Sequence, residues 1–291
     1  MRSTSPGGHA ADTDGLRAKR HAENFPVALK VLPGRLRSDL EAVYAVARTI
    51  DDLGDEADGD RTALLTQFGD ELSAAFGGAE PADPVIRGLV PAIRAGRVEH
   101  EPFRRLIEAN LQDQHVTRYR TYADLRAYCR LSADPVGRIV LRLFAVEDPE
   151  AEKLSDRVCT ALQLLEHWQD VGEDHRNGRI YLPQEDLEAY GVTEDELGAA
   201  QASRRLRELM RFEIDRAAAL LGSGAGLVGL VQGWGRLAVS GFIAGGLATV
   251  DALRDTNGDV LARYAKPGKA DALAWLVWLQ VGEPKTGRRS D

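Results

Sequence analysis

A chain of 291 residues with 44% apolar side chains buries enough surface for one large domain or two smaller ones. Its 45 acidic and 37 basic residues leave a net charge of -8. That excludes a global basic field for nucleic acid or an anionic membrane, so a polyanionic ligand must be met by local cations or by metal. Cys129 and Cys159, the two cysteines, have no close-spaced partner, so neither a disulfide framework nor a zinc site is indicated and a reducing cytoplasm is expected.

In chain order, residues 1–15 are polar and rich in Gly, Ser, Thr and Asp, without the apolar core of a secretion signal; they read as a disordered leader. Apolar residues then recur at helical spacing, as in Leu36, Leu40, Val43, Tyr44, Ala47 and Ile50, and again in Val158, Ala161, Leu162 and Leu165. No sustained two-residue alternation appears. Prolines from Pro26 to Pro267 cut the pattern into pieces of helix length, and Ser38, Thr121 and Asp156 are candidate caps. Residues 217–235 carry no charge and approach the length of a spanning helix. Six glycines punctuate them and Arg236 follows at once, so a buried helix pair with a Gly-rich corner is the expectation. No fixed repeat or separating linker is visible. The chain reads as all-α, with a single domain over residues 16–281 and a fraying tail over 282–291.

Chemistry concentrates in two acidic segments. In Asp51-Asp52-Leu53-Gly54-Asp55 the first and last carboxylates are four apart, which on a helix places them on one face, and Asp170 and Asp174 repeat that spacing. Like charges four apart destabilise a helix unless a cation or full solvation compensates. Mg2+ suits the pattern, because it takes one or two carboxylates together with waters and substrate phosphates. Asp51, Asp52, Asp55, Asp170 and Asp174 are therefore the candidate ligands, two faces holding a diphosphate between them. Solvated helix ends would explain either cluster alone; apolar turns directly before both argue against it. His167 and His175 lack the Glu-x-x-His or His-Glu-x-x-His patterns of di-iron and zinc sites. No Gly-x-Gly-x-x-Gly fingerprint calls for a nicotinamide cofactor.

Four ordered segments resemble the squalene and phytoene synthase family, the head-to-head isoprenoid synthases. They are His21-Ala22-Glu23-Asn24-Phe25-Pro26 with Leu32-Pro33, Val43 through Asp52, Tyr128-Cys129 through Val136-Gly137, and Gln163 through Asp174 continuing to Asn177-Gly178-Arg179-Ile180-Tyr181-Leu182-Pro183. Within the family, Asn24-Phe25-Pro26-Val27-Ala28-Leu29, Leu131 through Arg138 and Trp168-Gln169-Asp170-Val171 are similar to the hydroxysqualene-forming subgroup of the bacterial hopanoid route.

The resemblance implies a helical bundle around a central cavity and a Mg2+-dependent enzyme acting on presqualene diphosphate or farnesyl diphosphate. It also implies peripheral contact at the inner membrane face and with other enzymes of the squalene and hopanoid route, and no nucleic-acid partner. Tyr44, Tyr128 and Phe25 match positions near the reacting centre, where an aromatic face stabilises a cation. Gln163, Arg263 and Lys266 fall in segments expected to hold diphosphate. Arg48, one turn before Asp52, either joins them or forms an ion pair within its helix. The glycines of residues 222–246 either leave a channel for prenyl tails or serve close helix packing. Four departures stand against the pattern: Glu166 and Asp134 replace amides, Gln169 replaces a common basic residue, and Gly246 an aromatic one. A condensing synthase or an inactive binding member are the alternatives to hydroxysqualene formation.

Overall fold

The computed structural model describes residues 32–281; the expected leader, the segment carrying Phe25 and the tail lie outside the described residues. Within them the regular structure is helical, apart from one isolated parallel bridge between Arg118 and Ile180. The first four helices, α1 (Gly34–Asp55), α2 (Arg61–Phe76), α3 (Pro84–Arg94) and α4 (His100–Asp113), bury one apolar cluster. Val46, Ile50, Leu65, Leu72, Ile86 and Phe103 form its centre, joined by Ile139.

A larger cluster surrounds Trp168, Leu164, Leu209 and Ile243. It is built by α5 (Tyr122–Ser132), α6 (Asp134–Leu143), α7 (Pro149–Gln169), α8 (Val171–Arg176), α9 (Gln184–Tyr190), α10 (Arg204–Gly224), α11 (Leu227–Leu230), α12 (Gly233–Asp255) and α13 (Lys269–Val281). α7 and α10 form its most extensive helix pair. The predicted all-α class is thus observed.

Helix ends follow local chemistry, with some shifts from expectation. Thr121 caps α5 through a reciprocal pair with Asp124. Ser38 and Asp156 are not caps: they lie inside α1 and α7, which begin after Pro33 and Asp148. Pro91 does not end a helix either, being tolerated inside α3. Asp39, buried in α1, is held by Arg97 in a two-pronged pair of 2.7 and 2.9 Å.

The Gly-rich corner lies where the sequence placed it, at the junction of α10, α11 and α12. Its glycines divide by role. A Cβ on Gly224 would come within 2.9 Å of the Leu154 carbonyl oxygen and 2.7 Å of Val158, and one on Gly246 within 2.5 Å of Leu162. At Gly222, Gly241 and Gly245 nothing lies within 4 Å. Close packing therefore explains the first two, and a larger side chain at Gly246 would have to displace the Leu162 and Leu221 side chains.

A polar cluster braces α9 against α10. Arg216 pairs with both Asp186 oxygens at 2.9 and 3.1 Å and lies over the Tyr122 and Phe212 rings. Fully buried Glu213 sits beside it, and burial, with the Asp186 charge adding and Arg216 opposing, pushes its carboxyl up to about 8. A carboxyl raised in the folded state stabilises fully in acid, below its unfolded range, and that stability is lost as pH rises toward about 8.

Two outcomes are expected. Chemical denaturation should show stability falling between the ordinary carboxylate range and about pH 8, with Glu213→Gln flattening that slope. Gly224→Ala should destabilise by about 1–3 kcal/mol because backbone must move, whereas Gly222→Ala in the same helix should be stabilising by about 0.5–1 kcal/mol; thermal unfolding of the pair checks the contrast.

Candidate active site

The two apolar clusters meet along a polar seam, and both aspartate segments reach it. Asp51 follows Ile50, a fully buried member of the first cluster, on the last turns of α1. Its carboxylate accepts from Asn110 Nδ2 of α4 at 3.4 Å. Gly54 makes that approach possible, since a Cβ there would meet Asn110 Oδ1 at 2.3 Å, and Gln114 Nε2 donates to the Gly54 carbonyl at 3.0 Å. Asp51 keeps an accessible side chain, yet enclosure by its neighbours, with Asp55 and Asp52 adding, pushes its carboxyl up to about 6. A group reached by solvent on one side and enclosed on the others forms a cleft wall.

Asp55 lies one turn further on and accepts from Arg179 Nη1 at 2.9 Å. This ion pair ties the first aspartate segment to the chain that follows the second. Arg179 is delivered by a sharp turn: Gly178, at φ +79°, supplies the left-handed conformation after α8, and Arg179 N–H closes onto the Asp174 carbonyl at 2.8 Å. Ile180 N–H then donates to Thr117 O, and Gln184 N–H to Tyr119 O, both at 2.9 Å. The strand-like contact fixes Arg179 and Tyr181 against the seam. Burial opposes the Arg179 charge, but Tyr181, Asp55 and Asp113 more than offset it, holding the guanidinium above its ordinary range.

The second segment departs from a single continuous helix. α7 ends at Gln169, and Asp170 takes a non-helical ψ of 13° before α8 begins. The four-residue register survives, because Asp174 N–H still donates to Asp170 O at 2.8 Å. Asp174 is buried, with Oδ2 3.9 Å from His167 Nδ1. The His167 ring stacks on Tyr181 at 3.6 Å, and Gln163 Nε2 lies 3.3 Å from His167 Nε2. His167, Asp174, Tyr181, Val171 and Leu197 line a small cavity at this end of the seam.

Between the segments, buried Tyr128 donates to Asp113 Oδ2 at 2.7 Å, its ring packed against Tyr119 and Tyr181. Burial pushes the Asp113 carboxyl up to about 6, against the Tyr128 bond and Arg179. Its other oxygen is buried with no hydrogen-bond partner. Asp113 and Asn110 were missed in the sequence. Their signal was faint: with Gln114 they form a polar stripe at helical spacing on α4, otherwise buried through Leu106 and Ile107.

The remaining candidates are placed less directly. Arg48 pairs within α1, 2.7 Å from Asp52 and 3.1 Å from Glu56, so its helix-internal alternative is realised here. Tyr44 is partly exposed on α1. Arg263 and Lys266 are exposed in the connection before α13. Gln169 Nε2 donates to the Ala265 carbonyl at 2.5 Å, which brings that basic connection to the end of α7 beside Asp170. Phe25 lies outside the described residues.

One departure acquires physical meaning. Asp134 is buried, accepts from Thr160 Oγ1 at 2.8 Å, and is pushed up to about 7 by burial, with the Asp156 charge adding. A neutral carboxylic acid donates and accepts, as the amide it replaces would. Glu166 is half-buried one turn ahead of Asp170.

Among the described residues no three carboxylate, His or Cys groups converge as a ready-made metal cage. The donor chemistry nevertheless fits a hard cation: enclosed carboxylates at Asp51 and Asp113, both pushed up to about 6, and an unpartnered Asp113 oxygen. Mg2+ needs few protein ligands when phosphates supply the rest.

A hydroxysqualene synthase of Zymomonas mobilis subsp. mobilis is 34% identical over 210 residues, 70% of this chain and 69% of that protein. A phytoene synthase of Arthrospira platensis is 32% identical over 213 residues, covering 68% and 69%. Among solved structures, the squalene synthase HpnC of Alicyclobacillus acidocaldarius superposes with a TM-score of 0.77 at 43% identity, over 84% of this chain and 93% of that one. The sequence pattern of squalene/phytoene synthases matches residues 18–271. This chain belongs to the squalene/phytoene synthase family, whose members process prenyl diphosphates.

Proposed function

We propose that this chain converts presqualene diphosphate and water to hydroxysqualene and diphosphate, with Mg2+. The observation that supports the reading is the Arg179–Asp55 pair, which ties the first aspartate segment to the chain that follows the second; the likeness to a hydroxysqualene synthase supports the product.

Asp51 and Asp55 on one side, and Asp170 and Asp174 on the other, would hold Mg2+ together with the diphosphate, Asp52 contributing beside them. The ion supplies charge neutralisation for the leaving diphosphate. Arg179 and the basic connection carrying Arg263 and Lys266 would add positive charge around its oxygens, with Gln163 beside His167. The carbon–oxygen bond breaks with its electron pair leaving on diphosphate. The cyclopropylcarbinyl cation rearranges, water oxygen bonds to carbon, and a proton is released. Tyr128, its hydroxyl proton engaged by Asp113, would stabilise that cation through its ring or its oxygen lone pairs.

A condensing activity on farnesyl diphosphate is the second reading, favoured by the likeness to phytoene synthase. The packed space around Gly246 and the Gln169–Ala265 bond occupy the two places where condensing members commonly carry an aromatic and a basic residue.

Incubating the protein with Mg2+ and presqualene diphosphate, without a nicotinamide cofactor, should give a hydroxylated thirty-carbon alcohol by mass spectrometry. Its absence sinks the proposal, and product from farnesyl diphosphate alone promotes the second reading. Asp51→Asn and Asp170→Asn should each lower kcat by on the order of a hundredfold or more while leaving the unfolding midpoint nearly unchanged. Diphosphate should raise that midpoint further with Mg2+ than without it; equal shifts would contradict the ligand roles.

A further inference from the structure

Three tyrosines gather at Asp113, where α4 leads into α5. The rings of Tyr119, Tyr128 and Tyr181 pack mutually at centroid distances of 5.3, 5.8 and 5.9 Å, and all three residues are buried. They arrive from separate places: Tyr128 from α5, Tyr181 from the return after Gly178, and Tyr119 from the connection between α4 and α5. The bridge between Arg118 and Ile180, with Gln184 N–H donating to Tyr119 O at 2.9 Å, pins that connection. Arg118 pairs with Glu194 at 2.9 Å while its neighbour Tyr119 is buried, the alternation of strand-like backbone.

Two polar atoms of this cluster are left unsatisfied. Tyr128 donates to Asp113 Oδ2 at 2.7 Å, but Asp113 Oδ1 and Tyr119 Oη are buried with no hydrogen-bond partner in the protein. The Gln112 side chain approaches the Tyr119 hydroxyl without reaching hydrogen-bond geometry. Both atoms belong to one neighbourhood: after burial, the Asp113 charge is the strongest influence holding the Tyr119 phenol above its ordinary range. Buried polar groups of native proteins are almost always satisfied, and where the protein offers nothing the partner is an ordered water. The two atoms suit one water between them, because a carboxylate oxygen only accepts and a protonated phenol donates. Such a water gives one hydrogen to Asp113 and takes one from Tyr119, which leaves it a lone pair and a hydrogen. Mg2+ keeps several of its own waters, so water on Asp113 is compatible with a cation nearby.

We propose that Asp113 and Tyr119 hold the water that captures the carbocation, with Asp113 as its base and Tyr119 positioning its oxygen. This rests on the hydroxysqualene reading of the seam, and it names the residues that decide between water capture and loss of a proton from carbon. Tyr128, bonded to the same carboxylate, puts that water beside the ring assigned to the cation. The remaining lone pair of the water forms the carbon–oxygen bond. The oxygen–hydrogen bond directed at Asp113 then breaks with its electrons staying on oxygen, and Asp113 Oδ1 takes the proton, leaving a neutral alcohol. Without a held water the same cation has a route that needs none: a proton leaves an adjacent carbon and a thirty-carbon hydrocarbon forms.

The full chain is incubated with Mg2+ and presqualene diphosphate as wild type, Tyr119→Phe and Asp113→Asn, and released diphosphate and thirty-carbon products are quantified together. The readout is the share of released diphosphate matched by hydroxylated product, which a variant that is merely slower or less stable leaves unchanged. Both variants should lower that share several-fold, with the remainder appearing as hydrocarbon. An unchanged share in either variant overturns the proposal and leaves the hydroxysqualene reading in place. Absence of the alcohol from wild type overturns that reading, and the proposal with it. If a variant fails to fold, a crystal structure of the substrate-free wild type decides. It should show an ordered water within hydrogen-bond distance of both Asp113 Oδ1 and Tyr119 Oη; no water there, or a protein group in its place, overturns the proposal.

Discussion

Negative charge held between two apolar cores is the constraint around which the site is built. Asp51 and Asp55 come from the helix that organises the first cluster, Asp113 from its neighbour, and Asp174 from the edge of the second. Enclosed carboxylates are costly when ionised, and Asp51 and Asp113 register that cost in carboxyls pushed up to about 6. Arg179 offsets part of it by pairing with Asp55. Asp113 keeps one buried oxygen without a hydrogen-bond partner, a position that a cation with a polyanionic substrate would complete.

The seam is held by unusual backbone rather than by helices alone. Breaking the helix at Asp170 separates the second segment from α7, and the Gly178 turn sends the chain back to pair with residues 117–120. That return places Tyr181 on His167 and Arg179 on Asp55. A continuous helix through Asp174 would have carried both away. Asp134 shows the complementary economy: burial keeps an acid near neutrality where an amide would otherwise serve, so its substitution leaves the junction of α6 and α7 satisfied.

Much of this was legible from spacing. Helical recurrence gave the all-α class, and the Gly-rich corner was anticipated at residues where α10, α11 and α12 now meet. The aspartate segments stood out because four-residue spacing of like charge demands an explanation. Asn110 and Asp113 did not, since one polar stripe on α4 resembles any solvated helix face until the partner helix is known. Ser38 and Asp156 misled for a related reason: a polar residue near a helix start is ambiguous between cap and surface, and Pro33 and Asp148 lie one turn or more earlier. Gly246 could not be classified from sequence because its role depends on Leu162 and Leu221, which approach from other helices.

By itself, the sequence determined which residues share a helix face, because the 3.6-residue period is a local property of the chain. It thereby set the two carboxylate pairs and the apolar stripes of the last helices. Only the tertiary structure decided which faces meet. It gave Asp55 to Arg179, gave Asp113 to Tyr128, and left the stripes of α12 and α13 facing outward. Ion pairs between helices, carboxyl shifts and exposure depend on atoms brought together from distant positions, and no spacing along one helix encodes them.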